Sequence, residues 1–254
     1  MKILSIDSSG LVATVALLED DVVIAEYSVN NKMTHSQTLV PMLDEIKKMT
    51  DLDLASIDAI AVAKGPGSFT GLRIGSATVK GLGLALEKPV IPVGTVDALS
   101  YNAWGYAGLI CPIMDARREQ VYTGIYRFQG TQWEIVKEQC AIGIAELMDI
   151  LNGMDGTVLF LGDGCPVYQA QIEECMKIPF SFAPAHMNRQ RAAALGVLAM
   201  EYYKRGITES ADEHRPEYLR KSQAEREAAA KEAACETAGP EGGGKCDAAT
   251  KGQA

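Results

Sequence analysis

Residues 57–86 constrain the fold more than any other stretch, because an apolar run there enters a glycine-rich bend and leaves it as a long helix. Ile57, Ile60, Ala61, Val62 and Ala63 make a short, almost wholly apolar segment, as expected of a strand buried on both faces of a sheet. The bend is Gly65-Pro66-Gly67-Ser68, and Ser68 or Thr70 is placed to cap a helix over 69–86. Gly71, Gly75, Gly81 and Gly83 lie inside that helix, each at a cost of about 1 kcal/mol relative to alanine. Such a cost implies that something approaches the helix closely.

Around this unit the pattern repeats. Residues 2–6 read as a strand delivering Asp7 to a Ser8-Ser9-Gly10 turn, with further strands over 12–18 and 22–29. A helix follows over 34–49, with Thr34 and Gln37 at capping-box spacing. Leu39, Leu43 and Ile46 form one apolar stripe on it, and Met42 and Met49 a neighbouring one. After the central unit come a strand over 89–93 and a small helix over 95–104. Then a strand over 109–114 ends at Asp115, a turn holds Ala116-Arg117-Arg118-Glu119, and strands over 121–128 and 133–136 follow. Strand, terminal Asp, turn, strand, turn, strand thus occurs twice, which predicts two related α/β halves. Helices over 144–151, 167–175 and 192–203 and a strand over 158–161 complete the second half. The Ala/Glu/Lys and glycine-rich composition beyond residue 220 cannot bury a core, so a disordered tail is expected over 221–254.

Composition narrows the function. The net charge is −9, of which the tail supplies −1, and so acidic a body is a poor stand-alone RNA binder. No apolar run reaches the ~20 residues of a membrane span, and the start of the chain reads as a strand, so a cytoplasmic location is expected. Six cysteines carry no CxxC spacing and give no support to a zinc or redox motif.

The glycine bend does not make a phosphate loop. Walker A requires GxxxxGK[ST], but Leu72 stands five residues after Gly67; the dinucleotide fingerprint would need glycine in place of Thr70. Ser68 has no adjacent His to activate it. Asp7 and Asp115, at equivalent bends, suit either a metal-phosphate group or closure of their own turns. Arg73, Lys80, Arg117 and Arg118 suit an anionic ligand, a solvated face or salt bridges to a partner.

Five strings carry a family resemblance: Ile3-Leu-Ser-Ile-Asp7-Ser-Ser, His35-Ser-Gln-Thr-Leu-Val-Pro41, Gly65-Pro-Gly-Ser-Phe-Thr-Gly-Leu-Arg-Ile-Gly75 with Lys80-Gly81, Asp115-Ala-Arg-Arg118 with Val121-Tyr122, and Pro216-Glu-Tyr-Leu-Arg220. In this order they resemble the TsaB (YeaZ) family of bacterial tRNA threonylcarbamoyladenosine biosynthesis proteins. The resemblance implies an actin-like (ribonuclease H-like) duplicated α/β fold of two subdomains, each a mixed sheet flanked by helices. They would span 1–105 and 106–220, with the helix near 191–205 packing back on the first. It also implies a non-catalytic partner of the TsaD paralogue, acting with the ATPase TsaE. That assembly transfers threonylcarbamoyl from threonylcarbamoyl-AMP to N6 of the adenosine beside the anticodon (t6A) in tRNAs reading codons that begin with A.

The paralogue's metal-binding HxxxH pair would fall here at Thr95 and Leu99, neither an imidazole, so no metal site is expected. The implied partner interface uses the two helices of the first subdomain, through His35, Leu39, Met42, Ile46, Met49, Gly71, Gly75, Thr78 and Leu82. It would serve a homodimer in isolation and the TsaD heterodimer alternately, with tRNA met only through the complex and no membrane contact. Asp7, Gly65, Gly67 and Asp115 mark the candidate nucleotide cleft. No cofactor is expected for this chain itself, with ATP or ADP entering at the level of the complex. The alternative is an ATPase or phosphotransferase of the same fold, with Asp7 and Asp115 around a bound nucleotide; a peptidase would lack a visible nucleophile and base.

Overall fold

The computed structural model describes residues 1–31 and 33–220, so the tail expected over 221–254 lies outside the described residues. In the first half, β1 (Lys2–Asp7), β2 (Ala13–Glu19) and β3 (Val22–Val29) form an antiparallel meander. They are followed by α1 (His35–Met49), β4 (Ala59–Gly65), α2 (Phe69–Leu86), β5 (Val90–Gly94) and α3 (Thr95–Ser100). β4 lies parallel to β1 and β5 parallel to β4, giving the order β3-β2-β1-β4-β5. The second half repeats this plan with a meander of β6 (Leu109–Asp115), β7 (Gln120–Gln129) and β8 (Gln132–Gly143). Then come α4 (Ile144–Asn152), β9 (Val158–Leu161), α5 (Cys165–Cys175), β10 (Phe180–Phe182) and α6 (Ala192–Lys204). Its sheet order, β8-β7-β6-β9-β10, reproduces the first strand for strand. The duplicated α/β architecture expected from the repeated meander is present.

Three local readings are corrected. β8 is twelve residues long, running well past the expected 133–136, because the polar run Lys137-Glu138-Gln139 interrupts the apolar signal in an edge strand that is only half-buried. β10 is a three-residue strand, too short to show a period in the sequence. The capping box at α1 does not close: Thr34 makes no side-chain cap bond, and its hydroxyl meets Ser36 Oγ at 3.0 Å.

The strands nearest each sheet's centre are apolar on both faces, and each sheet is accordingly covered on both. On one face of the first sheet α1 and α2 set Leu39, Met42, Ile46 and Val79 against Leu4, Ile6, Val15, Ile60 and Val62. On the other, α6 sets Leu195, Leu198 and Ala199 against Ile3, Ala16, Leu18 and Ala61. The start of α6 is pinned there: the Ala192 N–H donates to Thr14 Oγ1 (3.1 Å), the Ala193 N–H to Glu26 Oε1 (2.9 Å), and Ser5 Oγ donates to the Ala192 carbonyl (2.7 Å). In the second half α4 and α5 cover one face, through Leu147, Leu151, Tyr168 and Ile172. α3 brings Val96 and Leu99 to the other, against Ile110, Met114 and Tyr126. The third helix of each half therefore packs on the other half's sheet, and residues 1–219 cluster as one unit.

After α6 the chain returns to the first half. Val90 and Glu209 exchange both backbone hydrogen bonds at 2.9 Å, extending the β5 edge. Lys80 Nζ donates to the carbonyls of Asp212 (3.1 Å) and His214 (3.3 Å), and the Glu217 N–H donates to the Lys64 carbonyl at 2.6 Å. Residues 208–219 thus form a strap along α2.

Candidate functional site

The turn after β1 is built against the start of α2. Asp7 is buried, and its Oδ1 accepts from the Ser9 N–H (2.8 Å) and the Ser9 hydroxyl (2.6 Å). Burial pushes its carboxyl above the usual carboxylate range, against the pull of those two bonds. The Ser68 N–H donates to the Ser9 carbonyl at 2.7 Å, Ser8 Oγ donates to the Gly71 carbonyl at 2.9 Å, and Ser68 Oγ caps α2 by accepting from the Gly71 N–H at 3.3 Å. Asp7 thus closes its own turn, one of the two roles expected of it. Asp115 does the same in the second half. Its Oδ1 accepts from the Arg117 N–H (2.8 Å) and from the Tyr168 hydroxyl (3.0 Å), which burial and Asp115 together push up to about 12.

The glycines of the bend and of α2 are now explained position by position. A Cβ on Gly67 would strike the Ser9 carbonyl, one on Gly71 the Ser8 carbonyl, one on Gly65 the Glu217 carbonyl; on Gly75 it would lie 2.5 Å from Ser8 Oγ and on Gly83 2.8 Å from the Ala211 Cβ. The close approach inferred from the sequence is made by the chain's own β1 turn and strap. Gly81 differs from the other glycines of α2, since a Cβ there would meet nothing within 4 Å among the described residues outside the adjacent helix backbone.

This corrects the expected interface. Leu39, Met42 and Ile46 are 1%, 7% and 0% exposed and belong to the first core, and Gly71 and Gly75 are buried under the Ser8 turn, so none of the five is open to a second chain. His35 is half-buried with Nε2 2.9 Å from the Gly10 carbonyl; Thr78 and Leu82 are half-buried, the Thr78 hydroxyl donating to the Ile74 carbonyl at 2.9 Å. Met49 alone of the nine is fully outward, at 71%. The outward sides of the same two helices carry other residues: Val40 at 58% on α1, and on α2 Arg73, Ala77, Gly81, Ala85 and Leu84, the last at 53%. These are the neighbours that a stripe count cannot separate from the inward set without knowing where the sheet lies.

The cationic residues are not gathered into one anion site. Lys80 is tied to the strap, and Arg117, in left-handed conformation, keeps its guanidinium 3.7 Å from Asp115. Arg73 lies over the Phe69 ring at 4.0 Å and donates from Nε to the Tyr218 hydroxyl at 3.3 Å. Tyr218 itself packs on Phe69, centroids 4.8 Å apart. This triad was missed from sequence because Tyr218 is 145 residues away; the motif Pro216-Glu-Tyr-Leu-Arg220 was its only signal. Thr95 and Leu99 are buried in α3, and among the described residues no group of three His, Cys, Asp or Glu side chains could hold a metal ion. The Cys111 and Cys165 thiols are pushed by burial up to about 12, so neither is poised as a nucleophile. Among the described residues no helix is long and apolar enough to cross a membrane.

Comparison with known proteins converges on one family. Residues 23–228 match the family model described as TsaD, tRNA N6-adenosine threonylcarbamoyltransferase. The tRNA threonylcarbamoyladenosine biosynthesis protein TsaB of Bacillus subtilis is 36% identical over 89% of this chain and 96% of its own length. That of Escherichia coli is 28% identical over 91% of this chain and 100% of its own. The solved structure of YeaZ from Pseudomonas aeruginosa superposes with a TM-score of 0.73 at 27% identity, covering 86% of this chain and 99% of that one. With the paired meanders, the Gly65–Gly75 string and these relatives in agreement, the chain belongs to the TsaB family of tRNA threonylcarbamoyladenosine biosynthesis proteins.

Proposed function

We propose that this chain is a non-catalytic docking subunit, pairing through the outward face of α1 and α2 with a TsaD-type threonylcarbamoyltransferase in the assembly that makes t6A. The TsaD-type partner supplies the transfer chemistry, the ATPase TsaE acts with the pair, tRNA is met only in the complex, and any ATP or ADP enters at that level. The setting is the cytoplasm. The observation that carries this reading is Gly81. A mid-helix glycine costs about 1 kcal/mol relative to alanine, and here, among the described residues outside the helix's own adjacent backbone, nothing comes within 4 Å of where a side chain would begin. With Ala77 and Ala85 beside it and Leu84 and Met49 exposed, that spot suits a second helix brought close to the backbone. The commitment of Asp7 and Asp115 to their own turns supports a subunit without its own phosphoryl chemistry.

The same face serves a homodimer when the partner is absent, so the two assemblies exclude one another. Light scattering after size exclusion, on the chain alone and mixed with the TsaD-type protein of the same organism, tests this. Wild type should self-pair alone and give a 1:1 complex in the mixture. Gly81→Trp and Leu84→Asp should remain monomeric in both settings with unchanged melting temperature. Complexes that form normally with both variants would refute the reading.

A further inference from the structure

Arg73, on the outward face of α2, has a side chain held in place before any partner arrives. One guanidinium face rests on Phe69 at 4.0 Å, and Nε is spent on the Tyr218 hydroxyl at 3.3 Å. Tyr218 stacks on Phe69 and belongs to the strap, whose own position is set by the Glu217 N–H to the Lys64 carbonyl (2.6 Å) and by the Lys64–Glu217 ion pair at 2.9 Å. Two contacts, with Phe69 and with Tyr218, therefore converge on one exposed cation. The other cation of α2, Lys80, is bound to two strap carbonyls, and Arg73 has no carboxylate of its own chain among the described residues. The fork formed by the two terminal nitrogens is the part of the group left over, and it matches a planar anion bidentately. An exposed arginine ordinarily spends side-chain entropy when it is captured; here that cost has been met within the fold.

We propose that Arg73 is a preorganised anchor for a carboxylate on the protein that docks against α2, with Tyr218 and Phe69 as its positioning residues; this rests on the docking reading above. A carboxylate is favoured over an RNA phosphate by the surroundings. Residues 1–220 carry a net charge of −8, and the residues one and two turns along the helix are Ala77 and Gly81, which suit a packed protein helix and offer no second cation. The strap thereby ties the end of the described chain to partner selection.

Calorimetric titration of the full chain against the TsaD-type protein of the same organism, at 50 and 300 mM NaCl, tests the proposal. Arg73→Ala should weaken pairing about 30-fold or more, as loss of one side of a desolvated charge pair does, and should flatten the salt dependence while the melting temperature stays put. Arg73→Lys should recover only a small part, since a lysine is a point charge that does not stack or fork. Tyr218→Phe should weaken pairing by itself yet add nothing in an Arg73→Ala background. That coupling is one a merely structural tyrosine would not show. Gly81→Trp is the control for the docking face. If it abolishes pairing while Arg73→Ala pairs like wild type, the anchor is overturned and the docking reading stands; if it pairs normally, the docking reading itself falls. Should Arg73→Ala leave protein pairing intact and lower only tRNA retention by the complex, the group reads phosphate and the proposal is overturned.

Discussion

Asp97 shows how a single buried carboxyl sets part of the pH response. It lies in the first turn of α3, buried, with Oδ1 accepting from the Tyr126 hydroxyl at 2.6 Å. Burial is the main cause that raises its carboxyl above 3.8, opposed by the Tyr126 bond. Between 3.8 and that higher folded value the native chain keeps a proton that the unfolded chain has released, so stability contributed at acid pH is lost as pH rises through the window. At neutral pH the charged form persists at a cost. Its other oxygen, Oδ2, and the unpartnered Gln139 Oε1 both lie within 3 Å of the point where a Gly94 Cβ would sit, two acceptors facing one small space. Asp97→Asn removes the charge and offers an amide donor there. It should raise stability at pH 7.5 by about 1 kcal/mol and flatten the fall in melting temperature as pH rises above the ordinary carboxylate range, read by thermal melts from acid to neutral pH. A variant that melts lower than wild type at pH 7.5 would show that the ionised carboxylate is favourable to Tyr126.

At the scale of the element, α2 is two helices in one. Its inner side is glycine because β1 and the strap press against it, and its outer glycine, Gly81, faces no other element among the described residues. The two kinds should respond oppositely to one methyl group. Gly75→Ala drives Cβ to 2.5 Å from Ser8 Oγ, inside a turn held by Asp7, and should destabilise by about 1–3 kcal/mol. Gly81→Ala costs no contact and should stabilise by about 1 kcal/mol, or about 2–4 °C for a domain of this size. Calorimetric melting of both variants decides the matter, and a loss of stability on Gly81→Ala would mean that its surroundings are closer than they are here. The sequence showed that α2 tolerates close approach, and that Ser68 or Thr70 could cap it; the structure chooses Ser68. It did not show what approaches, because Ser8 lies some sixty positions earlier and helical spacing carries no address. The same holds for α1. Leu39, Met42, Leu43, Ile46 and Met49 were legible as apolar, but only the placement of the sheet separates buried Met42 from exposed Met49.

For the whole molecule, charge and exchange of helices matter most. The body's net charge of −8 opposes the counterion release that drives RNA binding. The isolated chain should therefore retain no tRNA in a filter-binding assay at 150 mM salt, and retention should appear only with a TsaD-type partner; saturable binding by the chain alone would count against a subunit that meets tRNA in the complex. α3 and α6, each packed on the other half's sheet, make residues 1–219 one unit although the sequence repeats as two. By itself the sequence determined the strand-and-helix order, the duplicated meander, the buried central strands and the lack of a phosphate loop, since each follows from local period, turn chemistry or motif spacing. The tertiary structure decided which glycines serve the fold, that Asp7 and Asp115 close their own turns, and that Tyr218 holds Arg73. Those outcomes depend on contacts between residues far apart in the chain, where packing and not periodicity selects the partner.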